Sequence, residues 1–436
     1  MTHSSNPTFL VQPGGSLGGN IRVPGDKSIS HRSIMLGSIA AGTTEISGFL
    51  EGEDSLATLK AFRAMGVRIE GPDNGRVVVH GVGLHGLRAP AQPLDLGNSG
   101  TSMRLLSGLL AGQAFDSELV GDSSLMSRPM RRVTEPLARM GAVIATADKG
   151  TAPLKITGGQ TLHGIDYDMP VASAQVKSCL LLAGLYAEGR TCVREPAPTR
   201  DHTERMLDGM GYEVSRRDGV ACLDGGGSLE ATAIDVPADI SSAAFFLVGA
   251  SIAAGSDLLL EHVGINPTRT GVLEILRLMG ADIEVLNTRE VGGEPVADLR
   301  VRSAPLHGID IPVEQVPLAI DEFPALFVAA ACAEGRTLLT GAEELRVKES
   351  DRIQVMADGL QALGVAAEAT PDGMIIHGGA IGSGTVDSHG DHRIAMSFAM
   401  AALRASGPIR ITDCANVNTS FPAFVQLAAG AGLGIR

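Results

Sequence analysis

Apolar and polar positions recur along this chain in a fixed order. Six short polar clusters each precede a run of small and aliphatic residues: GDKSISHR from Gly25, GNSGTSMR from Gly97, ASAQVKS from Ala172, ADISSAA from Ala238, IDEFPAL from Ile320 and GDHRIAM from Gly390. The runs behind them, among them LLSGLLAG, CLLLAGLYAEG and LFVAAACAEG, predict buried helices. The cluster starts are 72, 75, 66, 82 and 70 residues apart. A second marker keeps the same spacing. Short helical patterns end in a Gly followed by a strand-like stretch, at Gly66, Gly141, Gly211, Gly280, Gly364 and Gly432. These lie 41, 44, 39, 42, 44 and 42 positions after the cluster starts. Two independent markers with matching spacing predict an internal repeat, each unit reading strand–helix–strand–helix–strands. A Gly behind a helix is the usual left-handed terminator.

Alternating helices and strands predict an α/β class. Six units predict two similar domains of three units each, with a boundary in DVPADISS, Asp235 to Ser242. Aromatic residues are scarce, with eleven Phe, three Tyr and no Trp, so small and aliphatic side chains must fill the cores. The net charge of −14 argues against a nucleic-acid partner. Apolar runs stop near ten residues, too short for a membrane span. MTHSSNPTFLVQPGG has no signal-peptide pattern and reads as a short disordered tail. The five Cys form no C-x-x-C and read as reduced thiols, with Cys179 in the core. No H-E-x-x-H or other tight cluster predicts a metal. GDKS is not a P-loop end, because Asp26 separates Gly25 from Lys27. Chemistry without metal or cofactor is the expectation.

Each cluster sits where a helix should start, and helix starts favour anions. Asp, Ser and Asn there are ordinary caps. ADISSAA has such residues and no cation, so capping does not explain Lys27, Arg32, Arg104, Lys177 or Arg393 at the other starts. Arg128 in SLMSRPM, Arg200 in TRDHTE, and Arg346, Lys348 and Arg352 in RVKESDR add to them. Singly, each is a solvated charge; together they predict a pocket for a polyanion. Asp321 before FPALFVAAA and Glu349 between Lys348 and Arg352 are the candidate base and acid.

The stretches PGDKSISHR, LGNSGTSMR, SLMSRP, SAQVK, TRDHTE, NPTR, IDEFP, ELRVKESDR and GDHRIAMSF resemble, in order from about residue 21 to the end, the 3-phosphoshikimate 1-carboxyvinyltransferase (EPSP synthase) family. GDKS, SAQVK, RDHTE and NPTR are similar to its class II, known for glyphosate tolerance. The resemblance implies an inverse α/β barrel of enolpyruvyl transferase type, two domains of three βαβαββ units that close on substrate. Residues 24–237 would form the N-terminal domain, and 1–23 with 238–436 the C-terminal one, with two chain crossings between them. It implies a cytoplasmic monomer that uses no cofactor, binds shikimate 3-phosphate and phosphoenolpyruvate, and is inhibited by glyphosate.

By motif, the resemblance implies that Lys27 contacts both substrates. Ser28, Arg32, Ser173, Gln175 and Lys348 would hold shikimate 3-phosphate, with Ala174 through its backbone. Gly100, Arg128, Arg352 and Arg393 would hold phosphoenolpyruvate, with Gln175 near both. Asn98, Thr101, Arg200 and His392 complete the expected binding set. Asp321 matches the acceptor of the 5-hydroxyl proton, and Glu349 or Lys27 the donor to C3. Thr419 stands where many relatives have Lys, and Gly100 where a tolerant class II enzyme has Ala, which implies weaker tolerance here. The related transferase acting on UDP-N-acetylglucosamine resembles a Lys-Asn pair and a loop Cys. Lys27-Ser28 and the absence of Cys before Lys177 speak against it. A non-catalytic ring or clamp would spread its cations over one face instead of gathering them at helix starts.

Overall fold

Each repeat builds one small sheet and two principal helices. The computed structural model describes residues 7–436, and the chain divides into two compact units. One comprises Gly25–Val236 and Val291–Glu294; the other comprises the chain up to Pro24, Pro237–Glu290 and Pro295–Arg436. The first holds α1 (Lys27–Ile39), α2 (Glu53–Ala64), α3 (Gly100–Ala111), a short α4 (Ser123–Ser127), α5 (Arg131–Arg139), α6 (Ala174–Gly184) and α7 (His202–Gly209). The second holds α8 (Ile240–Ile252), α9 (Gly271–Leu278), α10 (Phe323–Cys332), α11 (Arg352–Ala362), α12 (His392–Ala401) and α13 (Phe424–Ala431).

The second repeat shows the plan. Leu94–Asp95 runs parallel to Ser117–Val120, which pairs antiparallel with Leu154–Thr157, and Val143–Ala145 closes the edge. The third repeat does the same with Asp166–Asp168, Arg190–Arg194, Val220–Asp224 and Ser215–Arg217. In the first repeat the parallel leading strand is Ala233–Asp235, from the end of the unit, beside Ala41–Ser47. In the other unit Gly18–Ile21 leads the fourth repeat, parallel to Asp257–Gly264. Phe9–Val11 pairs antiparallel with Ile409–Ile411 of the sixth. The expected disordered tail is thereby corrected: Phe9–Val11 is a strand, because its backbone completes the sheet of the sixth repeat. Met1–Asn6 lie outside the described residues.

The first helix of each repeat is buried nearly all round, and α8 is buried at every residue from Ile240 to Ile252. Such helices need apolar or small residues on every face. Gly108 of α3 takes this to its limit: a Cβ there would lie 2.0 Å from the carbonyl oxygen of Cys179 in α6. The second principal helices end at Gly66, Gly141, Gly211, Gly280, Gly364 and Gly432, all at positive φ, from 80° to 119°. Both sequence markers therefore fall on the elements that the repeat predicts.

Two differences follow from contacts that spacing does not reveal. Cys192 and Cys222 form a disulfide, against the expectation of five reduced thiols. They lie opposite one another across Arg190–Arg194 and Val220–Asp224. Cys179, Cys332 and Cys414 are free, and burial holds the Cys179 thiol well above its ordinary pKa. The hairpin tip Val291–Glu294, allotted by sequence to the C-terminal domain, belongs with Gly25–Val236. Glu294 accepts from buried His202 at 2.7 Å, and Arg205 donates to the Gly293 carbonyl at 2.9 Å. Among the described residues no helix is long and apolar enough to cross a membrane.

Gly108→Ala must push α3 from α6. We expect a loss of about 1–3 kcal/mol, read as a lower urea midpoint. An unchanged midpoint would contradict the close helix approach.

Candidate active site

Capping accounts for much of each polar cluster. Asp26, Ser99, Ser173, Asp239 and Asp391 each accept a backbone N–H of their own helix start, at 2.8, 3.1, 3.4, 2.8 and 2.9 Å. The cations have other partners, and they form a separate cluster in each unit.

In the first unit Lys27 opens α1, and its ammonium lies 2.9 Å from Asp54 Oδ2 of α2. Arg32, one turn on, is 4% exposed. Its Nε donates to Thr203 Oγ1 at 2.7 Å, Nη1 to the Ser28 carbonyl at 2.9 Å and Nη2 to Ser178 Oγ at 2.8 Å. Burial lowers its pKa to about 10, against the carboxylates of Glu204 and Asp26, so it stays charged at neutral pH. His31 shares a hydrogen bond with Thr58 Oγ1 at 2.7 Å. Burial, then the charges of Lys27 and Arg32, pushes its pKa well below 6.5. It is thus a neutral brace between α1 and α2.

Gly100 and Thr101 open α3, and Ala174 and Gln175 open α6 behind the Ser173 cap. Gln175 joins the two starts: its Nε2 donates to Thr101 Oγ1 at 3.0 Å, and its Oε1 accepts from Arg104. Arg128, behind α4, donates to Asn98 Oδ1 at 2.6 Å and to Ser124 Oγ at 3.2 Å. A methyl on Gly100 would stand 3.1 Å from Arg128 Nη1. Arg200 ends the loop that leads to α7. Lys177, counted by sequence among the anion-gripping cations, is instead committed inside the protein. It is 1% exposed and lies 3.0 Å from Glu195 and 2.8 Å from Glu204. Glu195 in turn takes the Thr199 N–H at 3.1 Å, which ties down the loop carrying Arg200.

In the second unit Arg352 is the hub. It opens α11 at 1% exposure. Its Nε donates to Asp391 Oδ2 at 2.8 Å, its Nη2 to Glu349 Oε2 at 2.6 Å and its Nη1 to Asp321 Oδ1 at 3.4 Å. Lys348 Nζ lies 3.7 Å from the same Asp321 oxygen. Arg393, on α12, donates to the Asp321 carbonyl at 3.2 Å. Its neighbour His392 is buried. Burial opposes charge on Arg352, but Asp391, Glu349 and Asp321 outweigh it and hold its pKa above the ordinary value. Burial also opposes charge on Asp391, and Arg352 outweighs it, holding that carboxyl below 3.8. Thr419 is buried and turns its hydroxyl onto the Asn416 carbonyl at 2.7 Å.

The expected residues therefore gather as Lys27, Ser28, Arg32, Asn98, Gly100, Thr101, Arg128, Ser173, Ala174, Gln175 and Arg200 in one unit. Asp321, Lys348, Glu349, Arg352, His392 and Arg393 gather in the other. Sequence reasoning missed the carboxylates that hold the cations: Asp54 on Lys27, Glu195 and Glu204 on Lys177, and Asp391 on Arg352. Asp54 and Glu195 carry no local signal. Asp391 carried one, since it precedes Arg393 in GDHR, but capping alone accounted for it.

The depressed Asp391 pKa means that its pair with Arg352 stabilises fully above 3.8 and loses that effect as pH falls. Arg352→Met should cost about 3–5 kcal/mol at pH 7, by leaving Asp391 buried without its partner. In urea titrations that deficit should narrow on acidification, as Asp391 takes up a proton. A deficit that widens in acid would contradict this.

A family model described as EPSP synthase (3-phosphoshikimate 1-carboxyvinyltransferase) matches residues 11–427. The chain is 72% identical over 434 residues to a 3-phosphoshikimate 1-carboxyvinyltransferase of Methylococcus capsulatus, covering 100% of this chain and 99% of that one. It is 73% identical to the protein of that name from Alkalilimnicola ehrlichii, over 98% of this chain and 96% of the other. The solved EPSP synthase of Acinetobacter baumannii superposes with a TM-score of 0.90 at 62% identity, covering 98% and 99% of the two chains. The enolpyruvyl transferase NikO of Streptomyces tendae shares the fold, with a TM-score of 0.81 at 17% identity over 99% of each chain.

Proposed function

The chain belongs to the EPSP synthase family, and from that we propose that it transfers the enolpyruvyl group of phosphoenolpyruvate to the 5-hydroxyl of shikimate 3-phosphate. The products are 5-enolpyruvylshikimate 3-phosphate and phosphate, on the route to chorismate and the aromatic amino acids. The observation that carries the assignment of roles is the second-unit cluster. There two partly exposed carboxylates, Asp321 and Glu349, share one buried guanidinium with the fully buried Asp391.

In this reading Asp321 takes the proton of the 5-hydroxyl as its oxygen bonds to C2 of phosphoenolpyruvate. C3 receives a proton from Glu349 or Lys27, giving a tetrahedral adduct. Loss of a C3 proton and breakage of the bond from C2 to the phosphate oxygen then release phosphate and restore the double bond. The substrates bring two phosphates and two carboxylates, and fixed cations are the grip such groups require. Arg32, Ser28, Ser173, Gln175 and Lys348 take shikimate 3-phosphate, with Ala174 through its N–H and Arg200 as a further cation. Arg128, Arg352, Arg393 and Gly100 take phosphoenolpyruvate, with Asn98, Thr101 and His392 bracing these groups. Lys27 serves both substrates. The burial of Arg32 and the satisfied partners of Arg128 support this reading, because groups already oriented lose little freedom on binding. The reading also carries a cytoplasmic monomer inhibited by glyphosate.

Two outcomes test it. With both substrates present, Asp321→Asn should lower phosphate release by about a hundredfold or more while retaining shikimate 3-phosphate binding. Full turnover in that variant would remove Asp321 from the mechanism. Gly100→Ala should raise the glyphosate concentration for half-inhibition severalfold, and the KM for phosphoenolpyruvate with it, because its methyl presses on Arg128. An unchanged inhibition curve would show that this position does not set tolerance.

A further inference from the structure

Five of the six repeats fix the start of their first helix with a capping side chain of their own: Asp26, Ser99, Ser173, Asp239 and Asp391. The exception is α10, whose cap residue Glu322 makes no such bond. It is also the helix whose start carries Asp321. The Glu322 carboxylate, in a residue 2% exposed, instead accepts from Ser241 Oγ at the start of α8. Arg269, the last residue of the NPTR stretch, closes the group at 3% exposure. Its Nη2 lies 2.6 Å from Ser241 Oγ, 3.0 Å from Asp239 Oδ1 and 3.9 Å from Glu322 Oε1. The NPTR turn is itself held by Asn266 Oδ1, which accepts from the N–H and hydroxyl of Thr268 at 2.9 and 2.8 Å.

We infer that Arg269 is a positioning residue for Asp321, acting through Ser241 and Glu322. Two buried carboxylates, Asp239 and Glu322, face one another across this group and call for a counter-charge. Arg269 supplies it and so draws the first turn of α10 toward α8. The backbone at 321–322 is then held at two points. Arg393 takes the Asp321 carbonyl at 3.2 Å, and the Arg269 group takes the next side chain. Asp321 is left with its carboxylate toward Arg352 and Lys348, at 3.4 and 3.7 Å. A cap on α10 itself would fix the helix start alone; the Arg269 group also sets where that start lies relative to α8. Displacement of a reacting group by about 1 Å can cost a hundredfold in rate.

This inference rests on Asp321 being the proposed base, and a double-variant comparison separates the two. Arg269→Met should lower kcat by about tenfold to a hundredfold, with both KM values within about threefold of wild type. Arg269→Lys should regain part of the loss, since an amine can still face Asp239 and Glu322. Added to Asp321→Asn, Arg269→Met should cause no further loss, because it acts through a group already removed. Should Arg269→Met fail to fold, Ser241→Ala takes its place in the same comparisons. Wild-type kcat in both Arg269→Met and Ser241→Ala, or a full additional loss on the Asp321→Asn background, would overturn the inference. Full turnover in Asp321→Asn alone would instead overturn the assignment of the base.

Discussion

A guanidinium almost wholly removed from water, that of Arg352, organises the chemistry of the second unit. A cation at that depth is costly unless carboxylates surround it. Asp391, Glu349 and Asp321 do so from three elements: the start of α12, the turn before α11 and the turn before α10. Burial opposes charge on Asp391, and Arg352 outweighs it. The arrangement is also unequal. Asp391 is fully buried, whereas Glu349 and Asp321 keep part of their surface.

The first unit applies the same physics with fewer charges. Arg32 is buried on hydroxyls and a carbonyl, while the carboxylates of Glu204 and Asp26 still act on its charge. Lys177 is buried on two carboxylates, which cancel it. At 1% exposure Lys177 is committed to the interior by this pairing. An overall charge of −14 is therefore compatible with anionic substrates, because the sign that matters is set by immediate neighbours.

Much of the fold was legible because the repeat is enforced by backbone geometry. A left-handed Gly after each second helix and a capping side chain before five of the six first ones are local requirements, and they leave similar residues at similar spacing. Register is not local. Nothing in the 30-position separation of Cys192 and Cys222 says that they face each other, and nothing in EVGGEP says that Glu294 meets His202. The strands at Phe9 and Gly18 were hidden for the same reason, since their partners lie near Ile409 and Asp257. At the site, cations were legible from their contrast with ADISSAA. Their buried partners were not, because a carboxylate one element away carries no mark in the chain. Lys177 shows the consequence: it looks like Arg32 in sequence, yet it is paired with Glu195 and Glu204.

The central claim is tested most directly by phosphorus NMR of the wild-type protein with shikimate 3-phosphate and phosphoenolpyruvate. The account predicts inorganic phosphate and an enolpyruvyl ether of shikimate 3-phosphate in equal amounts, and neither product when one substrate is omitted. Phosphate from phosphoenolpyruvate alone, or no new species with both present, would contradict it.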